Sequence, residues 1–308
     1  KAKQWGASVE AWIIFSIIAA AFQTVRFMLQ KYLSMGQLSA GGATFSRFLY
    51  SAPIITALMV GYLIYNGQSM PYLSGTFWTG ALIGGFSQIA ATWCVVALFG
   101  QRNFAVGITF KKTEVIQTAL FGLVILGDQI STVGWVAIVV GLVGVLVLSD
   151  PPSGDGAFIG QVWNKATSLG IISGAMFAIS AVGYRAATLE IDSDEPLMRS
   201  SVTLCVVTLS QTLGMAAWLA WREEGEVGRV LDAWRTAMWL GLTGMLGSIF
   251  WFTAFTLQNA AYVFAIGQIE VIFSLAASYL VFKEKITARE LMGIFFLSGS
   301  ILWLILLS

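Results

Sequence analysis

The chain has no histidine, only two cysteines and five prolines, and little charge: Asp, Glu, Lys and Arg make up 11% of its 308 residues. The missing histidine removes Ser–His and Cys–His nucleophilic catalysis, HExxH zinc sites and histidine proton relays together. Cys94 and Cys205 both lie in apolar runs and read as small buried hydrophobes, not as a disulfide or a metal site. No GxxxxGK phosphate loop occurs, so transport or chemistry driven directly by ATP is not signalled. A net charge of +1 gives no sign of a nucleic-acid partner. No residue cluster calls for a cofactor or a metal. What remains is apolar: 57% of the residues are hydrophobic and the mean hydropathy is +0.79. A soluble domain carries roughly 25% charge, so the class is an all-α integral membrane protein.

A helix needs about 20 apolar residues to cross the hydrocarbon layer. Ten such runs are read, at 9–31, 40–65, 72–99, 104–126, 132–149, 166–188, 196–221, 234–256, 261–282 and 288–307. The first lacks a small-residue cleavage site and is followed by nine more, so it reads as a span and not as a signal peptide. Two connections are longer and polar. DPPSGDGAFIGQVW, residues 150–163, suits a linker, and REEGEVGRVLDAWR, residues 222–235, suits a short helix on the membrane surface.

A shift of 156 aligns residues 97–131 with 253–287 without a gap. It pairs Phe99 with Phe255, Asn103 with Asn259, Glu114-Val115-Ile116 with Glu270-Val271-Ile272, and Asp128 with Glu284. With small shifts Arg26 corresponds to Arg185, and Arg47 to Arg199. The expected organisation is a first five-helix repeat (1–149), a linker (150–163) and a second repeat (164–308). Five is odd, so the second copy enters the membrane inverted: ten transmembrane helices as two inverted five-helix repeats. That architecture belongs to alternating-access transporters, with the site near the midplane between the repeats.

Ten spans in two halves, with Glu114 preceding Asp128 by 14 residues and Glu270 preceding Glu284 by the same spacing, resemble the drug/metabolite transporter superfamily in its EamA-like branch. In that branch the fourth and ninth spans commonly read Glu-Pro-Val, then an apolar run, then Gly-Glu. Here Val115 and Val271 replace the proline, and Asp128 stands where glutamate is usual. The amino acid exporters of the superfamily are nearest in length and layout. The resemblance implies a secondary transporter of a small-molecule solute in a bacterial inner (plasma) membrane, among lipids, with cytoplasmic termini; a monomer is the preferred state, which the sequence leaves open. The loop charges point the other way. Lys31, Arg102, Lys165, Arg222, Arg229, Arg235, Lys283, Lys285 and Arg289 all fall on the face opposite the termini, which would place the termini outside.

Candidate site residues are the charges that lipid would refuse. Lys111, Lys112 and Glu114 together would cost about 8–10 kcal/mol at a helix centre, so they must face protein or a wet cavity. In a continuous fourth span Glu114 lies about 15 Å deep. Lys111 and Glu114, three residues apart, can pair. Lys112 needs another partner, either Glu270 or a solute carboxylate or phosphate. Gln268 stands where the second copy lacks the lysine. Gln23, Arg26 and Gln30 form a polar stripe, although Arg26 and Arg185 could also reach toward head groups. Arg47 and Gln88 each need a buried partner. Trp93 and Trp251 are candidate cavity walls, whereas Trp5, Trp163, Trp218, Trp221 and Trp234 fit interfacial anchors. Gly80, Gly84, Gly85, Gly241, Gly244 and Gly247 permit close helix approach.

The expected function is secondary active transport of an amino acid or related zwitterion, outward, by alternating access. Lys112 with Lys111 would take the carboxylate, while Glu114 and Glu270 would meet the amine or carry a coupling proton. The alternatives are a sugar-phosphate, nucleotide-sugar or quaternary-amine drug transporter of the same fold. From another class they are a membrane-embedded enzyme or a receptor.

Overall fold

The computed structural model describes residues 10–99, 110–148, 165–273, 276 and 288–307. The expected linker and the Asn103 and Glu284 positions lie outside them. Within a bilayer every backbone N–H and C=O must be satisfied inside the chain, which leaves helix as the only open form. The described residues accordingly fold into α1 (Ala11–Gly36), α2 (Ala40–Asn66), α3 (Gly75–Phe99), α4 (Glu114–Leu126), α5 (Thr132–Leu148), α6 (Lys165–Leu189), α7 (Pro196–Arg222), α8 (Glu226–Asp232), α9 (Trp234–Leu257), α10 (Ala260–Gly267) and α11 (Ala288–Leu307).

Six of these, α1, α2, α3, α6, α7 and α9, are long and apolar enough to cross a membrane. The other four apolar runs appear as shorter helical segments over Glu114–Leu126, Thr132–Val145, Ala260–Phe273 and Leu291–Leu304. Large apolar side chains face outward: Phe86, Val124, Leu213, Phe295 and Leu306 are all exposed. The chain is an integral membrane protein.

The fourth and ninth runs are not the continuous helices that their hydropathy suggests. Phe110 and Lys111 form the end of one helical piece, Lys112 and Thr113 turn, and α4 begins at Glu114. In the later run α10 ends at Gly267, Gln268 turns, and helix resumes at Ile269. Lys112 and Gln268 are the same position under the shift of 156. Tight i to i−3 bonds mark both breaks, Thr113 N to Phe110 O at 3.2 Å and Gln268 N to Ala265 O at 3.3 Å. Interrupted helix at membrane depth is tolerated where protein or a wet cavity covers it.

The packing partners form a set. α3 lies along α6, and α1 along α9; α4 packs on α6, and α10 on α1; α2 meets both α9 and α7; α3 also meets α7; α4 meets α10 and α5 lies along α11. Exchanging α1 with α6, α2 with α7, α3 with α9, α4 with α10 and α5 with α11 returns the same set.

Glycines permit a close crossing of α3 and α6. A Cβ on Gly80 of α3 would sit 2.7 Å from the Gly183 carbonyl oxygen of α6, and one on Gly183 would sit 2.8 Å from the Gly80 carbonyl oxygen. The short α8, expected on the surface, is anchored by a fully buried carboxylate. Glu226 accepts from the Ser39 backbone N–H at 2.6 Å, at the N-terminus of α2, and pairs with Arg229. A carboxylate there also complements the helix dipole.

Gly183→Val should lower stability by about 1–3 kcal/mol through overpacking. Gly61→Ala, where a Cβ meets nothing within 4 Å, should be neutral or slightly stabilising. Thermal melting in detergent reads both.

Candidate functional site

The two helix breaks bring the expected charges together. Lys111 Nζ donates to Glu114 Oε1 at 2.8 Å, and Lys112 Nζ lies 3.4 Å from Glu270 Oε2. The second pair joins the N-terminal helices to the C-terminal ones. Gly174 of α6 allows the first break to come close. A Cβ there would stand 3.0 Å from the Lys111 carbonyl oxygen and 3.4 Å from the Glu114 nitrogen. Glu114 occupies the first turn of α4, where the positive end of the helix dipole favours it. Lys111 also lies over the rings of Phe177 (4.8 Å) and Phe27 (5.9 Å).

A chain of bonds leads from Glu270 to the aromatics. Gln23 Nε2 donates to Glu270 Oε2 at 2.8 Å, and the Trp251 indole N–H donates to Gln23 Oε1 at 3.2 Å. Trp251 stacks on Phe255 at 5.7 Å and meets Phe264 edge-on at 5.4 Å. Gln23, Arg26, Arg47, Gln88, Trp251 and Phe264 line a cavity of ≈ 30 Å³, along with Ser180, Tyr184, Ser248 and neighbouring aromatics. That is room for about two or three waters.

Arg26 and Arg47 are buried at 3% and 5% exposure. Arg26 donates to Gln23 Oε1 at 3.5 Å, and Arg47 donates to Ser248 Oγ at 2.8 Å. Gly244 gives Arg47 its space, since a Cβ there would fall 2.9 Å from Arg47 Cγ. The Nη1 atom of each arginine has no hydrogen-bond partner, and among the described residues neither arginine forms an ion pair. Arg26 therefore does not reach toward head groups.

Several expected placements change. Lys111, Lys112, Glu114, Glu270 and Gln268 do not line this cavity. Lys112 and Gln268 border a smaller one with Gly141 and Ser300. Trp93 is not among the residues lining the cavity; it packs edge-on against Trp218 with centroids 4.6 Å apart. Arg185 turns inward. It donates to Asp128 Oδ2 at 3.0 Å and to the carbonyls of Phe255 and Gln258 at 2.6 and 2.8 Å, clamping α6 to the turn after α4 and to the α9–α10 junction. Tyr184, Gln211 and Ser248 went unread in the sequence. Gln211 donates to Gln88 Oε1 at 3.0 Å and to Gly85 O at 2.9 Å, and Tyr184 donates to Gln88 at 3.1 Å. Gln211 could have been found as an amide stranded in an apolar run; Ser248 gave no comparable signal.

Breaking the Lys112–Glu270 pair from one side leaves a buried charge. Lys112→Met alone should cost about 3–5 kcal/mol, and adding Glu270→Gln should recover much of it. A double-mutant cycle on melting measures the coupling; additivity would show no pair.

Residues 164–306 match the model of the EamA-like transporter family. A solved structure described only as "Crystal structure of protein" resembles the chain with a TM-score of 0.70, over 96% of this chain and 97% of that one, at 13% identity. That likeness is one of fold. No curated protein matches significantly.

Proposed function

We propose that the chain is a secondary active transporter of ten spans in two inverted five-helix repeats, carrying a small organic solute through the central cavity by alternating access. The preferred solute is an amino acid or related zwitterion, the preferred direction is export, and a monomer suffices. The family match over 164–306 supports membrane transport. One observation carries the rest: polar and aromatic side chains from α1, α2, α3, α6, α9 and α10 converge on one cavity beside the two equivalent helix breaks. Burying that many polar groups at membrane depth is costly unless they serve a solute or an ion. The exchange of packing partners between the two sets of helices supports the repeat reading.

On this reading Arg185 with Asp128 closes one end of the pathway, and opening that end costs the clamp. Lys112–Glu270 ties the repeats in the state described. Glu114 and Glu270 are the proton-coupling candidates; Glu114 Oε2 is buried without a hydrogen-bond partner. A second reading, transport of a phosphorylated solute, draws on the excess of buried cations, since Arg26, Arg47, Lys111 and Lys112 outnumber Glu114 and Glu270 by two.

Counterflow in sealed proteoliposomes tests the proposal. Vesicles preloaded with aromatic, aliphatic or basic amino acids, methylated amines or sugar phosphates should accumulate labelled solute of one class only. Glu270→Gln should reduce that uptake at least about tenfold, as removal of a buried functional charge does. Absence of counterflow for every class would refute the transporter reading for these solutes, and undiminished uptake in Glu270→Gln would remove this carboxylate from the cycle.

A further inference from the structure

The sequence directs attention to Lys111 and Lys112 as the cations that receive a solute. In the structure both face glutamates, at 2.8 and 3.4 Å. The cations that face the cavity are Arg26 and Arg47. They repel one another, and the carboxylate that acts on Arg26, Glu270, is already engaged by Lys112 and Gln23. Each guanidinium keeps one buried nitrogen without a partner. Two guanidiniums without an ion-pair partner are expensive to bury, and the groups that relieve that cost are carboxylate or phosphate oxygens, which match the forked donor geometry.

The rest of the lining is just as selective. Among the described residues no carboxylate borders the cavity, so no anion there is placed to pair with an ammonium group, and the two arginines repel one. The accessible carbonyl oxygens of Gln23 and Gln88 are already taken by Trp251, Arg26, Tyr184 and Gln211. The same cavity is walled by Trp251, Phe252, Phe255 and Phe264. A multiply charged phosphate ester would fit the arginines but waste the aromatic wall.

We propose that Arg26 and Arg47 form the seat for the carboxylate of an organic acid whose apolar or aromatic body lies against Trp251, Phe252, Phe255 and Phe264 once the cavity widens from the ≈ 30 Å³ of this state, and that an amino group on that solute adds nothing to its recognition. The seat rests on the transport reading for its purpose but not for its chemistry. Ser248 is a positioning residue, aiming the Arg47 guanidinium.

The test is ligand binding to the full chain in detergent, by isothermal titration and by melting. The probes are 3-phenylpropionate, phenylalanine, phenethylamine and phenyl phosphate. The first two should bind with similar affinity and raise the melting temperature, while phenethylamine should do neither. Arg26→Gln and Arg47→Gln should each weaken 3-phenylpropionate about 30-fold or more. Each should also raise the melting temperature of the unliganded protein, because a buried unpaired charge is removed. A purely structural arginine would lower it. Binding of phenethylamine as tight as that of 3-phenylpropionate overturns the seat, as does tighter binding of phenyl phosphate, which would assign the arginines to a phosphate. The wild-type probe series decides this even if a variant fails to fold. Counterflow without carboxylate binding would sink the seat and leave transport standing; carboxylate binding without counterflow would do the reverse.

Discussion

An ammonium group surrounded by hydrocarbon must find an anion or water, and Lys112 finds Glu270 on the opposite side of the protein's central junction. Much of the local geometry is arranged around that need. Helix breaks off after Lys111, at the turn of Lys112 and Thr113, and α10 ends at Gly267, before the equivalent turn at Gln268. Gly174 lets the first break press on α6, and Gln23 passes the carboxylate's influence on to Trp251. A continuous helix through either break would satisfy the backbone more simply. Interruption costs hydrogen bonds but places side chains from both sets of helices within reach of one another.

The two segments that align under the shift of 156 differ where charge is concerned. Lys111 and Lys112 correspond to Gly267 and Gln268, whereas Glu114 and Glu270 both remain carboxylates. The lysines consume the carboxylates, and Arg26 and Arg47 are left as the positive lining of the cavity. Glycine takes part in this division as well as in packing: Gly267 leaves room for the Trp251 ring, and Gly244 for the Arg47 stem.

Hydropathy makes the apolar runs legible, and the three-residue spacing makes the Lys111–Glu114 pair legible even though the helix breaks between the two residues. The break at Lys112 was not legible, since no proline or glycine marks it; tertiary contacts impose it. Trp93 resembled a cavity wall because depth can be read from a run's centre, but the direction in which a side chain faces within an all-apolar helix cannot. Arg185 reads as able to reach the head groups because its partners, Asp128 and the carbonyls of Phe255 and Gln258, are distant in sequence and only the fold brings them to it. Glu226 lay in a polar connection that reads as solvent-facing, and only the fold brings the α2 N-terminus to it. In each case the deciding partner is remote in sequence.

The crossing of α3 and α6 at Gly80 and Gly183 has a mechanical consequence. The two helices touch there through main-chain atoms, each glycine abutting the other's carbonyl oxygen. Side chains that interlock must change rotamer before one helix can turn against another, and each change adds to a barrier. Bare backbone has no rotamers to re-sort. At that one point the helices are held close with no side chain to re-sort, so any resistance to a change in their angle comes from the flanking bonds, Ser173 to the Ala91 carbonyl and Tyr184 to Gln88.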